Sequence, residues 1–193
     1  MRRLTPNAIK GITPHVITLP VGVDIVAKIL QSALSNVVSK SFARSVYRSG
    51  TIDEREYTFP SVFVGNGKDY FDLLDQDNFD SYSFVRVNDP ITFEEDTRTL
   101  AKKRWALDVD VIVWFNLNRF DTSKSGDYTP EIIDSAIAEI NKSGLSAVEV
   151  NQIYTEPSQV FNGYTLNIEQ TQRLYYPYSC FRINLEVVHP DSC

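Results

Sequence analysis

Histidine and cysteine are scarce in this chain, with two of each in 193 residues. That scarcity narrows the chemistry. Metal sites and thiol nucleophiles draw on clustered His, Cys and acidic residues, and His15 and His189 stand far apart in sequence. Cys180 and Cys193 give no disulfide framework, so a reduced, intracellular setting is the expectation. Cys180 lies in a strand-like run and reads as a small buried hydrophobe, and Cys193 reads as a free thiol. No window approaches the ~20 uninterrupted apolar residues of a membrane helix. Arg2 and Arg3 precede no apolar stretch of the signal-peptide kind, because Lys10, Gly11, Pro14 and His15 interrupt it. The chain is expected to be soluble, with no membrane partner. Glycine-rich phosphate loops are missing too: Gly65-Asn66-Gly67-Lys68 lacks the Walker spacing. So is the Gly-x-Ser-x-Gly elbow of serine hydrolases. No cofactor or metal is expected. Positive charge is also short, at 19 Lys and Arg against 25 Asp and Glu, a net charge of -6. A nucleic-acid clamp needs a basic footprint; an acidic wall is compatible only with DNA sliding past.

Apolar residues make up 42% and aromatics 12% of the chain. Its length suits one domain burying about 70% of the unfolded surface. Residues 1–19 read as an extended N-terminal arm and 20–193 as a single α+β domain. The arm mixes Pro6, Gly11 and Pro14 with Ile9, Ile12, Val16, Ile17 and Leu19, which leaves two readings open. It is a loose terminus, or it lies against a neighbouring subunit.

The domain is organised around Arg104 to Leu117, one long β-strand. Side chains alternate across a strand. Trp105, Leu107, Val109, Val111, Val113, Phe115 and Leu117 therefore share one face, apolar from end to end. The other face carries Ala106, Asp108, Asp110, Ile112, Trp114 and Asn116. It starts polar and turns apolar halfway, so the strand begins with one side in water or against a partner and ends covered on both. Phe181 to His189 repeats the pattern, with Phe181, Ile183, Leu185 and Val187 opposite Arg182, Asn184, Glu186 and Val188. If the two strands are neighbours, Arg182 falls near Asp108 or Asp110. Further strands are expected at Tyr57–Val64, where Pro60 suits an edge strand, at Tyr82–Asn88, and at Ala147–Tyr154. Ala43–Arg48 is a candidate short strand. Apolar residues at three and four spacing predict a helix over 21–38. A second is predicted over 130–143, with Thr129 as N-cap, Pro130 in the first turn and Gly144 closing it. The expected fold is a mixed, mainly antiparallel sheet around the long strand 104–117, with both helices packed on it.

Two features invite a functional reading. Asp69, Asp72, Asp75, Asp77 and Asp80 are interleaved with Tyr70, Phe71, Leu73 and Leu74. Counting from Asp75 puts Phe79 at the fifth position of an EF-hand loop and Arg86 at the twelfth, so that motif fails. A solvated loop is the plainer account. Tyr175-Tyr176-Pro177-Tyr178 is a turn whose tyrosines either pack around a bend or serve an interface. Tyr70, Phe71, Asp72, Asp75, Asp77, Tyr175, Tyr176 and Tyr178 are thus the candidate interface residues. Asp108, Asp110 and Arg182 form the candidate polar or lumen-side sheet face. Same-face aspartates two apart lie roughly 6.6 Å apart, a spacing found in glycosidases. A polar strand face produces it without catalysis, and no catalytic residue is assigned.

The order of elements is helix, strand-rich middle, long strand, helix, strand, short helix, final strand. With Phe59-Pro60-Ser61-Val62-Phe63-Val64, Arg104 through Phe115, the helix 129–143, Val148–Tyr154 and Phe181 through Val187, it resembles the tail terminator (tail completion) proteins of long-tailed bacteriophages. The acidic-aromatic insertion and the arm depart from the smaller members. The resemblance implies a non-enzymatic structural virion protein. Its copies form a ring, typically a hexamer, that caps the tail tube, joins it to the head-side neck and passes DNA without sequence-specific binding. It implies assembly in the host cytoplasm and residence at the tail–neck region. The alternatives are a non-enzymatic α+β domain binding a small ligand or a protein, and an enzyme with an unrecognised site.

Overall fold

The computed structural model describes residues 13–18, 20, 22–52, 54–65, 69–74, 79–88, 92–95, 103–145 and 147–190. At 52, 92–95, 103–105 and 189–190 the backbone alone is described. Most of the expected arm lies outside this set, as do Asp75, Asp77 and Cys193.

Helix α1 spans Val23–Leu34. It stops four residues short of the predicted end for a local reason. The Ser39 N–H donates to Ser81 Oγ at 2.8 Å, and the Ser39 hydroxyl donates to the Ser81 carbonyl at 2.5 Å. Those bonds turn the chain into strand β1, Lys40–Ile52. Strands β2 (Arg55–Val64), β3 (Asp69–Asp72), β4 (Ser81–Val87), β5 (Thr92–Glu95) and β6 (Lys103–Asn116) follow. Next come the one-turn helix α2 (Leu117–Phe120), helix α3 (Thr129–Lys142) and strand β7 (Val148–Tyr154). Two short helices, α4 (Pro157–Val160) and α5 (Ile168–Gln172), lead to the final strand β8 (Tyr178–Pro190).

The strands form one eight-stranded mixed sheet in the order β3-β2-β1-β4-β6-β8-β7, with β5 also paired to β6. Among the described residues only β1 and β4 pair in parallel. β1 pairs with β4 at Lys40, Ser41 and Arg44, with a register shift between Ser41 and Arg44, and with β2 from Ser45 to Ile52. The fold is thus the expected α+β sheet with α1 and α3 on it. β6 and β8 are neighbours along their whole length, with Val109 opposite Leu185 and Ile112 opposite Arg182.

Two local expectations are corrected. β2 is an interior strand, lying between β1 and β3. Pro60 is accommodated because β3 is too short to reach it: only the Pro60 carbonyl is used on that side, accepting from the Leu73 N–H at 2.9 Å. Thr129 is the first helical residue of α3 and caps nothing. Its N–H donates to Asp127 Oδ1 at 3.0 Å, and its hydroxyl bonds Asp127 and Ser179. β5 pairs antiparallel with the first residues of β6, Glu95 opposite Lys103. Gly144 follows α3 at φ 81, the left-handed conformation that glycine takes without a Cβ penalty.

One face of β6 and β8 is apolar along most of its length. Leu107, Val109, Val111, Val113 and Phe115 join Ile183, Leu185 and Val187 under Leu30, Leu34, Ile132, Ala136 and Ile140 of α1 and α3. The other face is covered over only part of its length. Ile112, Trp114, Tyr82, Phe84 and Cys180 are buried beneath Phe42, Val62, Phe71, Phe79, Val160, Phe161 and Leu174. Toward the β6 N-terminus the cover ends: Ile112 is fully buried, Asp110 is 1% exposed, and Asp108 is exposed. The half-polar pattern read along β6 corresponds to this boundary.

Leu185 is fully buried at the centre of the helix-covered core, whereas Ile168 is 75% exposed. Leu185→Ala should lower the free energy of unfolding by about 2–5 kcal/mol in urea denaturation. Ile168→Ala should change it by less than about 0.5 kcal/mol.

Candidate functional site

The boundary between the covered and open halves is built from one polar residue pair on, or at the end of, each of three adjacent strands. β4 supplies Arg86 and the residue just past its end, Asn88, β6 supplies Asp108 and Asp110, and β8 supplies Arg182 and Asn184. Register brings them together: Arg86 and Asn184 are both opposite Asp110. Cross-strand partners share a face, so all six project to the side away from α1 and α3.

Asp110 is the centre. Its Oδ2 accepts from Arg86 Nε at 3.1 Å, Arg86 Nη2 at 2.6 Å and Asn88 Nδ2 at 2.9 Å. Its Oδ1 accepts from Asn184 Nδ2 at 3.0 Å. Arg182 Nη1 stands 3.6 Å from Oδ2. The Arg182–Asp110 approach expected from sequence is therefore present, but Arg86 holds the closer place. A carboxylate out of water requires this density of donors.

The cover is aromatic. Arg182 lies over the Tyr154 ring at 4.1 Å, and Arg86 over the Tyr164 ring at 5.5 Å. Tyr164 stacks on Tyr47 at 4.8 Å. Arg86 Nη1 donates to the Asn162 carbonyl at 2.6 Å, which ties the 162–164 turn to the sheet. Gly163 closes that turn at φ 92, and a Cβ there would lie 3.3 Å from the Tyr47 hydroxyl. Burial pulls the Arg86 pKa down. Hydrogen bonds and charge from Asp110, with Tyr164 and Tyr47, outweigh it and hold the pKa above its ordinary value. Burial pushes the Tyr164 hydroxyl up to about 12, against the opposing pull of Arg86. Burial likewise pushes the Cys180 thiol up to about 12.

This geometry divides the candidate polar or lumen-side sheet face. Asp110 is 1% and Arg182 8% exposed, so neither faces solvent in the subunit. Asp108 does, bonded to Asn88 Nδ2 at 3.2 Å and Asn184 Nδ2 at 2.5 Å. Glu186 is opposite Asp108 in register, and Glu149 of β7 is opposite Glu186. All three are exposed, forming a row of carboxylates across β6, β8 and β7. Among the described residues no cation forms an ion pair with any of them. β7 is the last strand of the sheet, open on its outer side among the described residues.

The candidate interface residues divide. Phe71 is buried in the second core. Asp72 is held by Arg48 at 3.0 Å and by the Ser61 hydroxyl. Tyr70 is 40% exposed, lies 4.1 Å from Phe63, and has Arg48 above it. Tyr178 is half-buried, stacked on Trp114 at 5.1 Å. Tyr175 and Tyr176 are 56% and 73% exposed and are the tyrosines of that turn presented to solvent. Arg86, Tyr154 and Tyr164 were not singled out from the sequence, nor were Glu149 and Glu186 as a row with Asp108. β4 alternation could have placed Arg86 on the same face as Phe84.

Two clefts flank α1. One of about 340 Å³ lies between α1 and α3 and is lined by Lys28, Ser32, Asn36, Glu139 and Lys142. Glu139 bridges Asn36 at 3.0 Å and Lys142 at 2.8 Å, which holds its carboxyl below the ordinary value. The other, of about 480 Å³, is lined by His15, Asp24, Arg44 and Phe63 among others. His15 Nδ1 lies 3.1 Å from the Gly65 carbonyl, so that nitrogen carries the proton. Among the described residues no group of three His, Cys, Asp or Glu side chains is placed to hold a metal ion. No helix is long and apolar enough to cross a membrane among them. No protein-family model matches the chain, and a search of curated proteins returns no match.

Asp110→Ala leaves two guanidinium groups buried without their carboxylate. It should destabilise the fold by about 3–5 kcal/mol, while Asp108→Ala should cost less than about 1 kcal/mol; denaturant midpoints distinguish them. Tyr164 and Cys180 keep their protons to about 12 in the fold, against ordinary values of 10.0 and 9.0. Their contribution to stability is complete below pH 9.0 and is lost as pH rises toward 12. The urea midpoint should fall across that window, and more gently in a Tyr164→Phe/Cys180→Ala variant measured relative to its own neutral value.

Proposed function

We propose that the chain is a structural virion protein, a bacteriophage tail terminator. Its copies form a ring, hexameric in the family it resembles, that caps the tail tube and connects it to the head-side neck. The observation that carries this reading is the unlike pair of sheet margins: β7 at one side, β3 beside β2 at the other. A head-to-tail ring needs two different surfaces on each subunit, and such an interface closes when the rotation between copies closes. β7 is seven residues long and contains no proline or lysine, two of the devices that shield edges from pairing. Its one irregularity is the bulge between Val150 and Gln152. The order of elements along the chain supports the family.

The remaining surfaces fit the same role. Tyr175 and Tyr176 offer exposed aromatic area to a tube or neck protein. The net charge of -6 suits a passage through which DNA moves without being held. The protein on this proposal acts in the tail–neck region of the virion, without catalysis and without a cofactor.

Sedimentation and negative-stain electron microscopy test the proposal, with and without the tail-tube protein of the same phage. A closed ring is expected in at least one condition, with no retention of duplex DNA at physiological salt. A strict monomer that ignores tube and neck proteins would overturn it and favour the ligand- or protein-binding domain.

A further inference from the structure

The open margin of β7 and the carboxylate row beside it call for an occupant of defined chemistry. The row is costly as it stands, because like charges directly opposite across strands destabilise a sheet. Glu149, Glu186 and Asp108 occupy three successive strands at one level, the first of them on the edge itself. The outer side of β7 offers main-chain donors and acceptors to an added strand. An extended, cationic segment of polypeptide satisfies both.

The chain contains a segment of that charge. Residues 1–12, Met-Arg-Arg-Leu-Thr-Pro-Asn-Ala-Ile-Lys-Gly-Ile, carry Arg2, Arg3 and Lys10 and no acidic residue. Their attachment point is on the far side of the sheet. The Thr13 carbonyl accepts from Gly65 at 2.9 Å, and Pro14 bridges Val64 at the end of β2. Five strand intervals separate β2 from β7, roughly 24 Å at the usual inter-strand spacing. Pairing along the seven residues of β7 takes roughly 23 Å more. Twelve extended residues span at most about 40 Å. The segment cannot both cross its own sheet and pair along its own β7. In a head-to-tail arrangement, by contrast, the β2–β3 side of one copy adjoins the β7 side of the next.

We propose that residues 1–12 of one copy add a strand to β7 of its neighbour, with the arginines set against Glu149 and Glu186, the carboxylates of the row nearest the edge. Arg2 and Arg3 are consecutive, so one of them faces the carboxylates in either register. This rests on the head-to-tail association proposed above and names its contact.

The test mixes light and nitrogen-15-labelled full-length chains, treats them with a carbodiimide and maps the joined peptides by mass spectrometry. In chains carrying Arg2→Lys/Arg3→Lys, which keep the charge and supply amines that a carbodiimide can join, light–heavy links from positions 2 or 3 to Glu149 or Glu186 are expected. Links only within one chain, or none to these carboxylates, overturn the proposal. Self-association is measured in parallel by sedimentation. Arg2→Glu/Arg3→Glu/Lys10→Glu should weaken it by about tenfold or more, and adding Glu149→Lys/Glu186→Lys should restore it. A triple variant that associates like the unaltered chain also overturns the proposal. The two readings fail separately: a ring without these links leaves the ring and removes the arm contact. Links between chains that never close into a ring keep the contact and remove the ring.

Discussion

The structure depends on one buried carboxylate. Asp110 sits where the sheet passes from a covered to an open second face, and it is 1% exposed. An ionised carboxylate there must be matched by donors of comparable charge. Arg86 from one neighbouring strand supplies two bonds, Asn184 from the other supplies one, and Arg182 adds its charge at 3.6 Å. The three central strands are thereby locked at one register. A slip of one residue would turn Asp110 toward the helix-covered core, where Val109 and Val111 now stand among aliphatic side chains. A buried ion pair adds little net stability over a hydrophobic replacement. Its effect here is to make every other register expensive.

From that lock the cover follows. Arg86 reaches past Asp110 to the Asn162 carbonyl, and its guanidinium lies over Tyr164, itself stacked on Tyr47 of β1. Arg182 does the same for Tyr154 on β7. Cation–aromatic contacts of this kind contribute roughly 0.5–2 kcal/mol each, more as water is excluded. The polar ladder therefore anchors the aromatic segments that close the second core, and both cores share β6 as their common wall.

Much of the scaffold was legible because it obeys simple periods. β6 and β8 alternate cleanly, and α3 carries Pro130 in its first turn and Gly144 after its last. β1 was harder to read: thirteen residues with mixed polarity, pairing one strand near the start across a register shift and another over the rest, leave no single alternation. Helix α5 carried a signal that went unread. Asn167 and Gln170 form a reciprocal capping box, the Asn-x-x-Gln spacing that marks a helix start. The fate of Asp110 could not be read from β6 alone. Its burial is decided by residues 154 and 162–164, more than forty positions away, and β-strand periodicity reports a side chain's face without reporting what covers that face.

The same register that satisfies Asp110 leaves its neighbours in conflict. With Asp110 opposite Asn184, the pairing two residues along sets Asp108 opposite Glu186, and the β7 pairing then sets Glu149 opposite Glu186. A sheet optimised only for a solitary subunit would alternate charge at these positions, since opposite pairs contribute roughly 0.2–1 kcal/mol and like pairs oppose. Asn88 and Asn184 soften the clash at Asp108, but Glu186 and Glu149 face water beside an open edge. Charged residues are among the ordinary means of protecting an edge from unwanted pairing. A row of one sign is selective protection: it repels an acidic strand and admits a basic one. The register that secures the interior thus also determines what can be added at the margin, which makes the choice of neighbour a consequence of how the subunit folds.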